Sequence, residues 1–388
     1  MTLVFFLLAA VWCLVLILWY LEYRRIRRDQ DLVSIRIGIT GTRGKSSLVR
    51  LLAGAFRANG LGVLAKTSGS EACLILPDGT DRPIIRCGMP TILEQKQVLR
   101  AAARRGCGTL ICEVMSIRPE YQGIESSNIL GLTHCVVSNC RIDHPEQGDS
   151  KDSVAACLSR SIPAGGVVFC PSSEVRSALS LEAEKREATL VTVDDGAMPD
   201  LSDLRSTADH VEFQKNIALA LAVCAHFGLS ERLSLDGMFS AVGDVGALRS
   251  WRLGKDMLCV NAFAANDIES TRMLLDRLPA GRRIGLLNFR KDRPERTQQF
   301  IDAILSGVFS DIEMFFCIGA HGEIVRRKIR GICEVVPLSS SLSASAVMTG
   351  IRSRVAGVPF QLIGMGNIAG KPMELLGFWE SEGSPYGL

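Results

Sequence analysis

Gly38-Ile39-Thr40-Gly41-Thr42-Arg43-Gly44-Lys45-Ser46-Ser47 has the make-up of a phosphate-binding loop. Ahead of it, Ile35-Arg36-Ile37-Gly38-Ile39 is short, apolar and β-branched, which reads as a buried strand. Behind it, residues 46–59 place Leu48, Leu51, Leu52, Ala55 and Phe56 on one helical face, and Gly60 is a natural stop. Strand, glycine turn and helix together are the context that a phosphate loop needs. Gly41 and Gly44 permit a tight turn that aims backbone N–H groups inward at a helix N-terminus, where the dipole favours an anion. Lys45 adds a cation for β and γ phosphates, and Ser46 a hydroxyl for Mg²⁺. The strict pattern G-x-x-x-x-G-K-[ST] asks for Gly at position 39, where Ile39 stands, so what is present is the narrower T-G-T-x-G-K-S. The competing reading is a glycine-rich turn with a surface lysine.

Toward the N-terminus, Leu3 to Tyr20 carries no charge and Leu21 extends the run, enough to cross a hydrocarbon core of ~30 Å. Trp19, Tyr20 and Tyr23 mark its end, as interfacial aromatics do, and Arg24-Arg25-Ile26-Arg27-Arg28 follows. The positive-inside rule puts residue 24 onward in the cytoplasm, giving a single-pass anchor in the cell membrane. A cleaved signal peptide is the alternative; the basic n-region and the A-x-A site it requires are missing.

At 388 residues the chain is too long for one ordinary core, so two domains or one large one are expected. Hydrophobic content of 47% against 22% charged excludes a disordered chain, and a net charge of +3 gives no argument for nucleic acid. The 13 cysteines form no C-x-x-C and sit mostly in apolar runs (Cys112, Cys135, Cys224, Cys259), which reads as reduced small hydrophobes with no zinc site.

Beyond the loop the chain alternates strand and helix. Strands are expected at 63–66, 109–114, 133–138, 167–170 and 189–193, and helices at 92–105, 150–162 and 211–227. A second series follows the glycine-rich Val242-Gly243-Asp244-Val245-Gly246, with strands at 257–260, 283–287, 312–317 and 360–363 and helices at 268–278 and 295–305. This predicts an α/β fold: an N-terminal membrane helix (1–30), a parallel-sheet ATP-binding domain (31–245) and a smaller Rossmann-like domain (246–388). In open α/β sheets ligands sit at the carboxyl ends of strands. Three strand ends here are polar: the loop itself, Glu113 after Leu110-Ile111-Cys112, and Asn139-Cys140-Arg141-Ile142-Asp143-His144 after Cys135-Val136-Val137-Ser138. A carboxylate and an imidazole converging on a phosphate loop suggest an Mg²⁺ site. Taken singly, Glu113 also fits an ordinary strand-end carboxylate, and His144 a hydrogen-bonded loop histidine.

In that order, T-G-T-x-G-K-S, a strand-end Glu113 and Asn139-x-x-x-Asp143-His144 resemble the Mur ligase superfamily, which includes the folylpolyglutamate synthases. Within it the capsule-type poly-γ-glutamate synthase subunit family (PgsB or CapB) is similar also in its membrane helix, its Arg-rich segment, and Asn288-Phe289-Arg290-Lys291-Asp292-Arg293 followed by Gln298-Gln299-Phe300. The resemblance is strongest over 35–150, moderate at 210–300 and thin after 320. It implies a Mur-ligase-like fold and an ATP-dependent amide ligase. Lys45 with Gly41, Thr42, Arg43, Gly44, Ser46 and Ser47 is implied at the ATP phosphates. Asn216 is implied at the adenine and Arg249 at the nucleotide. Ser46 and Glu113 are implied as ligands of one Mg²⁺, and His144 of a second. Lys45, Glu113 and His144 are the implied catalytic set. Two departures stand out: Ser159 and Arg160 occupy the place where many Mur ligases carry a carbamylated Lys, and neutral Asn261 the place of a ribose-binding Asp, with Asn266 a better fit. Arg290, Lys291, Arg293 and Arg296 form a basic cluster suited to an acidic substrate, or else a solvated helix start.

The implied reaction is polymerisation of glutamate through its γ-carboxyl, activated by ATP as an acyl phosphate, in capsule or secreted-polymer biosynthesis. The implied partners are glutamate, the poly-γ-glutamate chain, the membrane and small membrane subunits (PgsC/CapC-like and PgsA/CapA-like), with a homo-oligomer unsurprising. A folylpolyglutamate- or muropeptide-type ligase stays open beside it. So does a phosphate-loop ATPase subunit that drives or senses polymer export.

Overall fold

The computed structural model describes residues 2–69, 72–86, 88–194, 211–241, 249–263, 268–276, 278–291, 294–355 and 357–386. The described residues divide into two compact units, those of 2–194 and 211–241 in one and those of 249–386 in the other. The expected boundary at Gly246 lies outside the described residues.

The first unit runs α1 (Thr2–Leu32), β1 (Ile35–Thr40), α2 (Lys45–Ala58), β2 (Val63–Thr67), β3 (Cys73–Ile75), β4 (Asp81–Pro83), α3 (Glu94–Arg104), β5 (Thr109–Glu113), α4 (Pro119–Gly123), β6 (His134–Val137), α5 (Lys151–Leu158), β7 (Val167–Pro171), α6 (Ser177–Lys185), β8 (Thr189–Val193), α7 (Val211–His226) and α8 (Glu231–Ser240). Its eight strands lie in the order β4-β3-β2-β5-β1-β6-β7-β8. The six from β2 to β8 are parallel, and β3 and β4 add an antiparallel edge. Central β1 is paired on both edges by β5 and β6, and its Ile37 and Ile39 are fully buried, as in a buried parallel strand. Helix α2 buries Leu48, Leu52 and Phe56 completely, about 2 kcal/mol of transfer free energy for each.

Helix α1 is longer than the expected span. It continues through the arginines to Leu32 without a break. Residues 3–21 lie exposed along one uninterrupted apolar stretch. The last turns instead join the unit: Ile26 packs on the core beside Val98, Leu99 and Ala102, and Asp29 and Gln30 are buried.

The second unit runs β9 (Ser250–Leu253), β10 (Met257–Asn261), α9 (Ile268–Leu275), β11 (Arg282–Phe289), α10 (Pro294–Leu305), β12 (Met314–Gly319), α11 (Gly322–Lys328), β13 (Glu334–Pro337), α12 (Ala344–Val355), β14 (Phe360–Gly366), α13 (Lys371–Glu382) and β15 (Ser384–Tyr386). The strand order is β13-β12-β11-β14-β10-β9-β15, parallel except at β9, which pairs antiparallel with β10 and β15. Alternate residues feed two cores: Leu287 and Phe315 on one face, Leu286 and Phe316 on the other. Helices cover both faces, which is why the strands read as unbroken apolar runs.

Candidate active site

The loop between β1 and α2 has the predicted geometry. Gly41 has φ +128° and Gly44 φ +75°. A Cβ at Gly41 would stand 2.1 Å from Ser138 Oγ, and one at Gly44 2.8 Å from Asn216 Nδ2, so only glycine fits either turn. No side chain caps the first turn of α2, which leaves its N–H groups directed at the loop's concavity. Lys45 Nζ donates to Gly41 O at 2.6 Å and lies 3.4 Å from Thr42 O, so the ammonium is folded back over the loop. Burial pushes the Lys45 pKa down, while the charges of Glu113 and Asp143 push it up. A phosphate in the loop would add negative charge that favours the ammonium form.

Register places the carboxylate. Ile39 of β1 lies opposite Glu113 of β5, so Glu113 stands at the carboxyl end of the sheet beside the loop. It is buried, and its two oxygens are divided: Oε1 accepts from Ser46 Oγ at 2.5 Å and Oε2 from Ser68 Oγ at 2.6 Å. A carboxylate and a hydroxyl in contact at the mouth of a glycine cradle are the hard oxygen donors that suit Mg²⁺ or Mn²⁺. Among the described residues no group of three or more His, Cys, Asp or Glu side chains gathers to hold a metal. The fit therefore rests on oxygen donors that include a serine and the nucleotide's own phosphates.

A second layer fixes Glu113 from behind. Gln95 Nε2 bridges Glu113 O (2.9 Å) and Glu125 Oε1 (2.6 Å). Buried Glu125 lies in a π-helical turn, Ile124–Leu130, and accepts from Met115 N and Ser116 N, each at 2.9 Å. Fully buried Lys66 pairs with Glu94 at 2.7 Å. Burial alone would raise the Glu94 pKa; hydrogen bonds and charge from Arg86 and Lys66 outweigh it and hold the carboxyl at about 2.

Asn139, at the end of β6, clamps the loop. Its Oδ1 accepts from Thr42 Oγ1 (2.6 Å) and Arg43 N (3.1 Å), and its Nδ2 donates to Arg43 O (3.0 Å). Ser138 Oγ donates to the same carbonyl at 2.6 Å. Arg43 Nη2 pairs with Asp143 Oδ1 at 3.1 Å, and Asp143 Oδ2 lies 3.5 Å from His144 Nε2. His144 thus reaches the loop by way of Asp143 and Arg43. Asn216 of α7 lies against Gly44 and not at a distance from the loop.

The remaining sequence candidates belong to both units. Ser47 is partly buried in the first turn of α2. Ser159 is buried and donates to Ala156 O at 2.9 Å, and Arg160 lies exposed, 4.0 Å from Glu182. In the second unit Arg249 is exposed and 3.7 Å from Glu380. Arg290 is exposed at the end of β11. Arg296 is buried on the inner face of α10, so it is not part of an exposed basic cluster. Arg293 and Asn266 lie outside the described residues. Sequence reasoning missed Ser68, Gln95 and Glu125 and gave Asn139 no role; Ser68, just past the buried strand β2, was the one legible sign, a fourth polar strand end.

Comparison with known proteins follows the same lines. A family model described as the poly-gamma-glutamate synthase CapB C-terminal domain matches residues 249–382. The PGA synthase CapB of Bacillus subtilis (strain 168) is 32% identical over 310 residues, 77% of this chain and 78% of that protein. The capsule biosynthesis protein CapB of Bacillus anthracis is 31% identical over 302 residues, 75% of this chain and 65% of that longer protein. In fold, E. coli FolC in complex with ADP superposes with a TM-score of 0.67 at 16% identity, over 93% of this chain and 94% of that one. A folylpolyglutamate synthase/dihydrofolate synthase from Yersinia pestis, complexed with AMPPNP and Mn, gives 0.66 at 13%, over 93% and 92%. MurF from Acinetobacter baumannii gives 0.65 at 10%, over 92% and 80%. The fold is that of the Mur ligases and folylpolyglutamate synthases, and the chain belongs to the CapB family of poly-γ-glutamate synthases.

Proposed function

We propose that this chain is the ATP-dependent ligase that joins glutamate through γ-carboxyl groups into poly-γ-glutamate, anchored in the cell membrane by α1 with both units on the cytoplasmic side. The observation that carries the reading is the Ser46–Glu113 contact beside the Lys45 loop, in a chain related to a named PGA synthase over most of its length. The chemical problem is that a carboxylate is a poor electrophile. Phosphorylation by ATP makes it an acyl phosphate, an incoming amine attacks, and phosphate leaves. Lys45 and the amides at Gly41, Thr42, Arg43 and Gly44 hold the phosphates; Ser47 joins them from the first turn of α2, and Asn216 is assigned to the adenine on family resemblance. Ser46 and Glu113 would hold Mg²⁺ and His144 would serve a second ion; a bound metal would offset the negative charge of the phosphates. Arg249, Asn266, Arg290 and Arg293 are assigned to ligand contacts of the second unit on family resemblance. The domain limits proposed are 1–30, 31–245 and 246–388. The four exposed arginines after the apolar stretch support the cytoplasmic orientation by the positive-inside rule, and small membrane subunits are the partners that would lead the polymer outward.

ADP release by membranes carrying the chain, scanned across amino acids, tests this. The expected result is release that needs glutamate and falls about 100-fold or more in Lys45→Ala with thermal stability kept. Release indifferent to every amino acid contradicts a ligase and leaves a motor or sensor ATPase.

A further inference from the structure

Helix α3 is fastened to α1 by two ion pairs. Lys96 Nζ meets Glu22 Oε1 at 2.5 Å, and Arg100 Nε meets Asp29 Oδ2 at 3.7 Å. Both sequences increase in the same direction, so the two helices run parallel. The N-terminal end of α3 therefore points the same way as the apolar stretch of α1. Leu93 precedes Lys96 by three residues and Arg100 by seven, at roughly 1.5 Å per residue, which sets it level with the stretch from Trp19 to Glu22. Trp19 and Tyr20 there mark the edge of the apolar stretch.

Among the described residues ahead of α3, three large apolar side chains are exposed. Ile85 is 90% exposed, Met89 87% and Leu93 55%. Such large aliphatic side chains in one short segment are not scattered surface residues. The segment is also tied down. Arg86, next to Ile85, bonds Glu94 in the first turn of α3 at 2.7 and 3.0 Å, so Ile85 is held at that end of the helix. Arg24, Arg25, Arg27 and Arg28 stand exposed on the adjoining turns of α1, a charge pattern that fits anionic headgroups.

We propose that Ile85, Met89 and Leu93 enter the headgroup–acyl boundary of the bilayer beside α1, a second and peripheral membrane contact of the first unit. The proposal rests on the reading of α1 as a membrane helix. Its occupant is lipid, because the end of α3 that carries Leu93 is paired to α1 beside the aromatic belt at the edge of the apolar stretch. The contact has a consequence for the site. Gln95, two residues past Leu93, bonds the Glu113 carbonyl, so the membrane-facing end of α3 is also the back wall of the carboxylate. Two points of attachment, α1 and the 85–93 segment, restrain the unit from swivelling about a single helix.

The test uses the full chain in vesicles of phosphatidylcholine and phosphatidylglycerol, with Cys13, Cys87 and Cys333 replaced by Ser and no other subunit present. A nitroxide is attached at Met89→Cys in one sample and at Leu16→Cys in another, and its accessibility to oxygen and to a water-soluble nickel chelate is measured. Met89 is exposed, so the label leaves the fold intact. The expected result is a label at 89 shielded from nickel and open to oxygen, at interfacial depth, with the label at 16 in hydrocarbon. A label at 89 as open to nickel as one at Asp78, with 16 still in hydrocarbon, overturns the lipid contact while sparing the anchor. Shielding at 89 that appears only when small membrane subunits are co-reconstituted also overturns it, in favour of a protein contact. If 16 is itself in water, the anchor reading fails and the proposal with it.

Discussion

Asn139 holds three polar groups of the phosphate loop at once: the Thr42 hydroxyl and the Arg43 amide and carbonyl. All of them lose a partner in Asn139→Ala, and an unsatisfied buried polar group costs about 1–3 kcal/mol. The expected outcome is a lower melting temperature together with a raised KM for ATP, restored in part by saturating nucleotide; a variant that melts lower but binds ATP normally would mean that the loop holds its shape without the clamp. The loop itself was legible in the sequence because its glycines, lysine and serine are neighbours in the chain. The clamp was not, because Asn139 and Thr42 are 97 residues apart and only folding of β6 beside β1 joins them. Ser68, Gln95 and Glu125 escaped for the same reason. Each is an ordinary polar residue whose meaning lies in a partner on another element.

Strands β1, β5 and β6 were readable because each is covered on both faces and must be apolar throughout. The short edge pieces β3, β4, β9 and β15 were not, having three or four residues each and, in β4, full exposure. Helix α3 starts at Glu94 and not at Ile92, since Lys66 and Arg86 fix the Glu94 carboxylate at its first turn. The seam between β6 and α7 carries its own pH dependence. His134 Nε2 lies 3.3 Å from His226 Nε2, and its ring packs on Phe227. Burial, with the charges of His226 and Arg36, pushes the His134 pKa down to about 4. An unfolded chain takes up a proton near the ordinary value of 6.5, and the folded one does so only near 4. Stability is therefore full above 6.5 and falls as pH drops from 6.5 to 4, by about 3 kcal/mol at most. Urea titrations across that interval are expected to show the decline in the native protein and a flatter profile in His134→Gln; parallel profiles would place the acid sensitivity elsewhere.

Across the whole molecule, a phosphate loop at the carboxyl end of a parallel sheet and a second α/β unit make the Mur ligase fold, and kinship with CapB sets the chemistry within it. The alternation of strands and helices was enough to predict two α/β units; the identity of the acid and amine joined is not a property of the fold and enters through the family. The central claim is that ATP activates the γ-carboxyl of glutamate. Glutamate carrying ¹⁸O in that carboxyl tests it most directly. If the carboxylate attacks ATP and the acyl phosphate then yields to an amine, each bond formed transfers one ¹⁸O into inorganic phosphate. Phosphate free of carboxyl ¹⁸O while polymer accumulates would contradict the account, since no acyl phosphate would then have stood between ATP and the amide.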